Sequence, residues 1–305
     1  MSIVAVTYQS AEHIARCLSG IEGGGLTVPP QVVVVDNGSA DDTVEHAQHG
    51  WPTAVIVQGQ GNVGFARGCN LGAAQATGSH LLFLNPDTEL RPGALQALLA
   101  AAERNPEAGL WGGRTVRPDG GVDETCAFGA MSPWSLFCFA IGLSSLFPRS
   151  RWFDPESLGG WGRDTAREVS VLSGACLLVS REAWSRLGGF DERYFMYAED
   201  ADLCRRAWQA GYRPRLVPEA ELVHDVGASS DPGAKQVMLH RGKATYLRLH
   251  WSPVAGRFGL GCLWLGVALR ARLADRRPAG STRRQTLPSA WTTAWQLRHQ
   301  WLGGW

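Results

Sequence analysis

Short apolar strands alternate with helical patterns through the first hundred residues, and this alternation constrains the fold more than any other feature of the chain. Ile3–Val6 is apolar and ends at polar Thr7. Ala11–Ile21 follows, with Ile14, Leu18 and Ile21 on one helical face, and Gly23-Gly24-Gly25 stops it. Val32–Val35 is a run of four valines, the pattern of a strand buried on both faces. It runs into the turn Asp36-Asn37-Gly38-Ser39, and Asp41 or Asp42 can cap a helix to about His49. Ala54–Val57 and His80–Leu84 read as further strands, with a glycine-rich loop and the helix Phe65–Ala76 between them. Pro92 opens a helix carrying Leu95, Leu98, Leu99 and Ala102. Such alternation predicts an α/β fold, a Rossmann-like, mostly parallel sheet flanked by helices on both faces.

Later segments are less regular. Residues 117–167 show no period and read as a variable insertion. Val169–Val179 is strand-like, Arg181–Leu187 helical, Glu199–Ala210 helical and Tyr212–Val217 a strand. From Lys235 the chain reads as helical, with a poorly structured stretch at 276–290. Residues 1–234 carry 17 Lys/Arg against 27 Asp/Glu, whereas 235–305 carry 12 against Asp275 alone. The chain is thus an acidic body with a basic tail, and six of its 13 tryptophans lie in that tail. The seven cysteines are odd in number and form no C-x-x-C pair, which argues against a disulfide framework or a cysteine zinc site. No signal peptide is evident, so a cytoplasmic setting is expected. The apolar run Phe258–Leu269 is shorter than the roughly 20 residues of a spanning helix.

In a parallel sheet, ligands bind beyond the C-terminal strand ends. Thr7 and Tyr8, Asp36 and Asn37, the loop Gln60–Gly68, and Asn85 with Asp87 all fall there. Each alone is an ordinary turn former; four successive strand ends together point to a polar site. No G-x-G-x-x-G follows the first strand and no P-loop occurs, so a glycine cradle is not the main phosphate holder. Asp87 leaves its strand with no Lys or Arg before Arg91, which suits a divalent cation shared with substrate phosphates. The densest acidic cluster, Glu199, Asp200 and Asp202, follows aromatic Tyr194, Phe195 and Tyr197. Acids in a first turn also simply complement the helix dipole, but a carboxylate among aromatic walls can serve as a general base. His224 follows a late apolar strand and could approach the same edge.

The strings Thr7-Tyr8-Gln9-Ser10, Val35-Asp36-Asn37-Gly38-Ser39, Asn62–Asn70, Leu84-Asn85-Pro86-Asp87 and Gly188-Gly189-Phe190-Asp191, followed by Glu199-Asp200, occur in that order. In this the chain resembles the inverting family-2 glycosyltransferases of GT-A fold, especially the bacterial rhamnosyltransferase-like branch, over about residues 2–230. The resemblance implies a GT-A domain over 1–230, with a nucleotide-sugar half at about 1–116 and an acceptor half at about 168–230. A basic, Trp-rich helical extension at 231–305 is left outside it. It also implies roles. Thr7, Tyr8 and Asp36 would hold the base and ribose; Asn62, Gly64, Phe65 and Arg67 would line the nucleotide. Asp87 would bind Mg²⁺ or Mn²⁺, with His224 matching a later histidine that completes the metal site in some members. Asp200 would be the catalytic base, with Glu199 the second choice. Asn85, Gly174, Ala175, Gly189, Phe190, Asp191 and Tyr197 would shape the sugar and acceptor pocket. Asn85 stands where the family's first metal-site carboxylate is usual, so it brings no charge.

The expected function is metal-dependent, inverting transfer of a sugar, with rhamnose the candidate. The donor would be a UDP- or dTDP-type sugar and the acceptor a glycan or polyprenyl-linked molecule in cell-surface polysaccharide assembly. A nucleotidyltransferase would need a basic G-x-G loop early in the chain, and a non-catalytic nucleotide- or glycan-binding subunit would need Asp87 or Asp200 lost; neither condition is met. The tail's arginine clusters and tryptophans suit an anionic membrane surface rather than nucleic acid, placing the enzyme peripherally on the inner face of the cell membrane. The competing reading is that these helices only dock on the acidic body.

Overall fold

A computed structural model describes residues 1–224, 231–275 and 289–305. The stretch read as poorly structured, 276–290, lies mostly outside the described residues. The chain divides into two compact units. One comprises 1–129, 161–195 and 199–229; the other comprises 130–160, 196–198 and 230–305.

The first unit is built on a nine-stranded sheet. Its elements run β1 (Ser2–Thr7), α1 (Ala11–Glu22), β2 (Gln31–Asp36), α2 (Thr43–Gly50), β3 (Val55–Val57), α3 (Phe65–Gln75), β4 (His80–Leu84), β5 (Thr88–Leu90), α4 (Ala94–Arg104) and β6 (Leu110–Val116). After β7 (Ala127–Phe128) come β8 (Arg167–Glu168), β9 (Val171–Leu172), β10 (Cys176–Ser180), α7 (Arg181–Leu187), α8 (Glu199–Gln209) and β11 (Arg215–His224); α5 and α6 belong to the second unit. Strand order is β3-β2-β1-β4-β10-β6-β11-β5, with β8 on β11; β7 and β9 form a separate ribbon. β1, β2, β3 and β4 are parallel, as expected. The sheet as a whole is mixed, because β10 runs antiparallel to both β4 and β6.

Each valine of Val32–Val35 is buried, as a strand covered on both faces requires. One face packs Ile14, Leu18, Leu95 and Leu98 of α1 and α4 against Ile3, Val32, Leu82, Leu178 and Leu222. Burial of each such side chain contributes about 1.5–3 kcal/mol. On the other face α3 approaches so closely that a Cβ on Gly72 would strike Val4 and Val35.

Several expectations need correction. The strand expected over Val169–Val179 is two strands, β9 and β10, broken at Ser173-Gly174-Ala175. The late strand begins at Arg215 rather than Tyr212 and runs through His224, so His224 ends it rather than following it. β5 and β6 went unread. The supposed insertion contains two helices, α5 (Pro133–Ala140) and α6 (Leu143–Leu146), and residues 130–160 belong to the second unit.

In that second unit, α9 (Pro232–His250), α10 (Pro253–Asp275), α11 (Ala290–Gln296) and α12 (Arg298–Trp301) follow. The apolar run read as too short lies within α10, whose 23 residues are long and apolar enough to span a bilayer by length and composition. Leu136, Val237, Leu247, Leu263, Val267 and Trp301 form its core. Arg270 pins α10 to the end of α5: its guanidinium donates to the Phe139 carbonyl at 2.7 Å and to the Ser145 hydroxyl at 2.9 Å. All seven cysteines of the chain are buried free thiols.

His240, 3% exposed, lies among the rings of Phe139, Trp291 and Trp301. Its Nδ1 donates to the Gln236 carbonyl at 2.7 Å, which fixes the tautomer. Burial lowers its pKa to about 4, and the charges of Lys243 and Arg270 push the same way. The folded pKa is below the unfolded one, so the unfolded chain takes up this proton first as pH falls. His240 should therefore cost stability progressively between about pH 6.5 and pH 4, up to about 3 kcal/mol. Denaturant unfolding across that range should show a shallower pH slope for His240→Gln than for the parent; parallel slopes would contradict it.

Candidate active site

The parallel strands bring their polar ends to one edge of the first unit. Asp36, at the end of β2, is almost fully buried. Its carboxylate accepts from the Thr7 hydroxyl at 3.1 Å, the Gly38 and Ser39 amides at 3.1 and 3.0 Å, and the Ser39 hydroxyl at 2.5 Å. The Gln60 amide donates to the Asp36 carbonyl at 2.8 Å, which ties the third loop to the second. Thr7 is itself buried, so it fixes Asp36, whereas Tyr8 is exposed beside it. Asn37 donates to the Gly64 carbonyl at 3.0 Å, and the Gly64 amide donates to Asn62 Oδ1 at 3.1 Å.

Gly64 has φ +85°, and a Cβ there would collide with the Phe195 carbonyl. That carbonyl accepts from the Phe65 amide at 2.7 Å. Glycine is thus required both for the backbone conformation and for the close approach. Arg67, exposed in the first turn of α3, pairs loosely with Glu192 at 3.8 Å. Phe65 packs on Phe190 at 6.1 Å between ring centroids, and Phe190 is buried against Phe83 and Trp184. Asn70 clamps the loop holding Gly189 and Phe190, accepting from the Phe190 amide at 3.0 Å and donating to its carbonyl at 2.9 Å. Asp191 is held by the guanidinium of Arg193.

At the end of β4, the Asn85 amide donates to the Ala175 carbonyl at 3.0 Å. The turn brings Asp87 to His224 at the end of β11: Asp87 Oδ1 lies 3.4 Å from His224 Nε2. On the other side of the ring, Nδ1 lies 3.5 Å from Asp123 Oδ2. Asp123 was missed in the sequence because it sits in the stretch without periodicity. Nothing around it announces that the chain folds back under β11. Burial favours the neutral ring of His224, but contact with Asp123 and Asp87 outweighs it and raises the pKa to about 9. Burial likewise opposes the Asp123 charge, yet His224 and the Thr125 hydroxyl and amide bring it down to about 2.

The three acids of α8 stand in different surroundings. Asp202 is committed to Arg206, at 2.6 and 2.8 Å. Asp200 is half-buried and accepts from the Gly174 amide at 3.1 Å and the Ala201 amide at 2.7 Å. Burial raises its pKa, and those amides work against the rise. Glu199 is 5% exposed, with Oε2 buried and without a hydrogen-bond partner. Burial and the neighbouring Asp200 charge raise its pKa well above the ordinary range. Tyr197 and Ala198 precede α8 with φ of 68° and 71°, a conformation that costs non-glycine residues about 1–3 kcal/mol each. Tyr197 falls in the second unit, where a Cβ on Gly242 would strike its carbonyl.

With this geometry established, comparison with known proteins is decisive. The family model described as "Glycosyl transferase family 2" matches residues 2–139, and that described as "Glycosyl transferase family group 2" matches residues 160–305. The N-acetylglucosaminyl-diphospho-decaprenol L-rhamnosyltransferase of Mycobacterium tuberculosis is 33% identical over 94% of this chain and 96% of its own length. The chain belongs to glycosyltransferase family 2. It is a glycosyltransferase of rhamnosyltransferase type, and the resemblance read from its motifs is correct. The fold agrees with the mannosyltransferase PcManGT of Pyrobaculum calidifontis, solved with GDP-Man and Mn²⁺. That match has a TM-score of 0.59 at 20% identity, over 98% of this chain and 79% of that one. It also agrees with S. aureus TarS in complex with UDP-GlcNAc, with a TM-score of 0.54 at 16% identity, over 99% and 78%.

Asp36→Asn replaces an acceptor of four hydrogen bonds by an amide that can satisfy only part of them. Charge-assisted bonds are worth roughly 1.5–3 kcal/mol each, so loss of one should lower the unfolding free energy by about that amount. Denaturant unfolding would check this, and unchanged stability would show that the four bonds do not hold the end of β2 in place.

Proposed function

We propose that the chain transfers L-rhamnose from a nucleoside-diphosphate sugar of UDP or dTDP type to N-acetylglucosamine carried on a polyprenyl diphosphate. The observation that carries this is the 33% identity, over nearly the full length of both chains, to the mycobacterial enzyme of that name. The site is consistent with it. Thr7, Tyr8, Asp36, Asn62, Gly64, Phe65 and Arg67 line the strand ends where the nucleotide would lie.

A divalent cation fits the Asp87 end. Asp87 Oδ1 is buried without a hydrogen-bond partner, a carboxylate oxygen of the kind Mg²⁺ or Mn²⁺ accepts; His224 Nε2, 3.4 Å away, would join it only as the neutral imidazole, the ion displacing the proton that Asp87 and Asp123 otherwise hold there. Among the described residues no group of three or more His, Cys, Asp and Glu could hold a metal. Asp87 and His224 would therefore share the ion with the donor diphosphate, with uncharged Asn85 adding no carboxylate. The ion would supply positive charge against the leaving diphosphate.

Asp200 would take the proton. In support, it is held by two backbone amides yet remains partly open, whereas Glu199 is shut in. As the acceptor hydroxyl oxygen bonds to the anomeric carbon, its proton passes to Asp200. The bond from that carbon to the diphosphate oxygen breaks on the opposite face, and the configuration inverts. Gly174, Ala175, Gly189, Phe190 and Asp191 would frame the sugar and acceptor. A lipid-linked acceptor places the reaction at a membrane, and the basic, Trp-rich extension at 231–305 is the part of the chain suited to an anionic leaflet, on the cytoplasmic side.

Four measurements test this reading. A panel of dTDP-rhamnose, UDP-sugars and GDP-sugars against polyprenyl-diphosphate N-acetylglucosamine should yield rhamnosyl product; turnover confined to GDP-sugars would overturn the donor assignment. Asp200→Asn should lower kcat at least about 10²-fold with little change in donor affinity. Transfer that survives this change but is abolished by Glu199→Gln would move the base by one residue. The raised Asp200 pKa means that kcat should begin to fall at a higher pH than an ordinary aspartate would give, because protonation removes the acceptor. Asp87→Ala should abolish metal-stimulated turnover and EDTA should inhibit the parent, with His224→Ala less severe; full activity in EDTA would sink the metal assignment.

A further inference from the structure

The chain exposes an unusual set of large apolar side chains, concentrated in the second unit. Trp134, Phe137, Ile141, Leu146, Phe147 and Trp152 stand out from α5, α6 and the loop after them, with Leu146 71% and Trp152 67% exposed. On α10 the exposed residues are Val254, Phe258, Trp264, Leu265 and Leu273. Val254, Phe258, Leu265 and Leu273 follow one another at four, seven and eight residues and share one side, while Trp264 stands off it against Trp295. Leu263 and Val267, on the opposite side of α10, are buried.

The two sets belong to one layer. Gly266 of α10 lies against Phe139, Gly142 lies near Leu269, and Arg270 bonds to the Phe139 carbonyl and the hydroxyl of Ser145. The exposed charges of residues 133–152 and 252–273 are Arg149, Arg151, Arg257 and Arg272, while the half-buried acids next to them are engaged, Asp154 by the Arg149 amide and Glu156 by the Ser135 hydroxyl and Lys243. Arg151 lies over the Trp152 ring at 5.4 Å, and the Trp134 indole donates to the Trp152 carbonyl at 2.6 Å, so the loop is held rather than loose.

We infer that this layer is the membrane-docking face of the enzyme, and that α5, α6 and the 147–152 loop contribute to it as well as the C-terminal extension. The occupant is an anionic bilayer surface. Tryptophan and phenylalanine favour the headgroup boundary, arginine is drawn to anionic lipid, and a helix packed on one side and apolar on the other lies in the interface plane. The inference rests on the lipid-linked acceptor reading for its purpose, but its test is independent of transfer. It goes beyond the charge of the tail, because half of the face comes from a segment more than eighty residues upstream.

The experiment is sedimentation of the full chain with phosphatidylcholine vesicles, with and without phosphatidylglycerol, at low and high salt. The parent should bind, more tightly with phosphatidylglycerol and less tightly in salt. Leu146→Glu with Trp152→Glu, and separately Phe258→Glu with Leu265→Glu, should each weaken binding at least about tenfold. Val28→Glu, at an equally exposed apolar site of the first unit, should leave it unchanged. Loss with the α10 pair alone, and none with Leu146→Glu/Trp152→Glu, would overturn the shared face.

Should the double variants fold poorly, quenching of the parent's tryptophans by brominated lipid supplies the same answer: quenching that falls in Trp152→Phe supports the face, and no quenching overturns it. A parent that dimerises through these residues without binding vesicles would make the face a contact between copies and overturn the inference. Vesicle binding that behaves as expected while rhamnosyl transfer is absent would defeat the donor and acceptor reading and leave the docking face standing.

Discussion

The candidate site depends on β10 running against its neighbours. This strand lies between β4 and β6, antiparallel to both. It joins the parallel block β3-β2-β1-β4 to the group β6-β11-β5. Because it enters the sheet from the ligand edge, its preceding residues, Ser173-Gly174-Ala175, sit at the ends of the parallel strands. The Ala175 carbonyl holds Asn85, and the Gly174 amide holds Asp200. One reversed strand therefore ties the end of β4, which leads to Asp87, to the start of α8, which carries Asp200, the proposed proton acceptor. A parallel strand in that position would have placed its start at the far edge and left Asp200 without this anchor.

Much of the nucleotide half was legible because its signals are local. A run of valines, a turn after it and a helix with period 3.6 place Thr7, Asp36 and the Gly64 loop without knowledge of the rest. The other half depends on contacts distant in sequence. β6 hides because Gly112 and Gly113 interrupt its apolar pattern, yet Gly113 is glycine since a Cβ would press on the Ala220 carbonyl and Leu222. β5 has three residues, too few for a period. Asp123 meets His224 across a hundred residues, a contact that no spacing announces. The segment at 130–160 reads as irregular because α5 is apolar on nearly all sides, without the polar stripe by which a surface helix is recognised, and α6 has only four residues.

The acidic start of α8 shows how environment separates identical chemistry. Glu199, Asp200 and Asp202 are neighbours on one helix. One is sealed in, one is anchored by amides but reachable, and one is consumed by Arg206. The family resemblance ranks Asp200 before Glu199, and the packing of β9 and the Gly174 bend on α8 gives the two different surroundings. The Asp87–His224–Asp123 line has the same character, a ring whose charge is set by what lies on each side.

The buried cysteines carry a last consequence. Burial raises the pKa of all seven, Cys17, Cys69, Cys126, Cys138, Cys176, Cys204 and Cys262. Thiolate is the reactive form, so at neutral pH the folded chain offers almost nothing to an alkylating reagent or a mild oxidant. The protein is in effect a silent background for thiol chemistry. A single cysteine introduced at the surface would report alone on its own position, and the unmasking of the native seven would time the opening of the core.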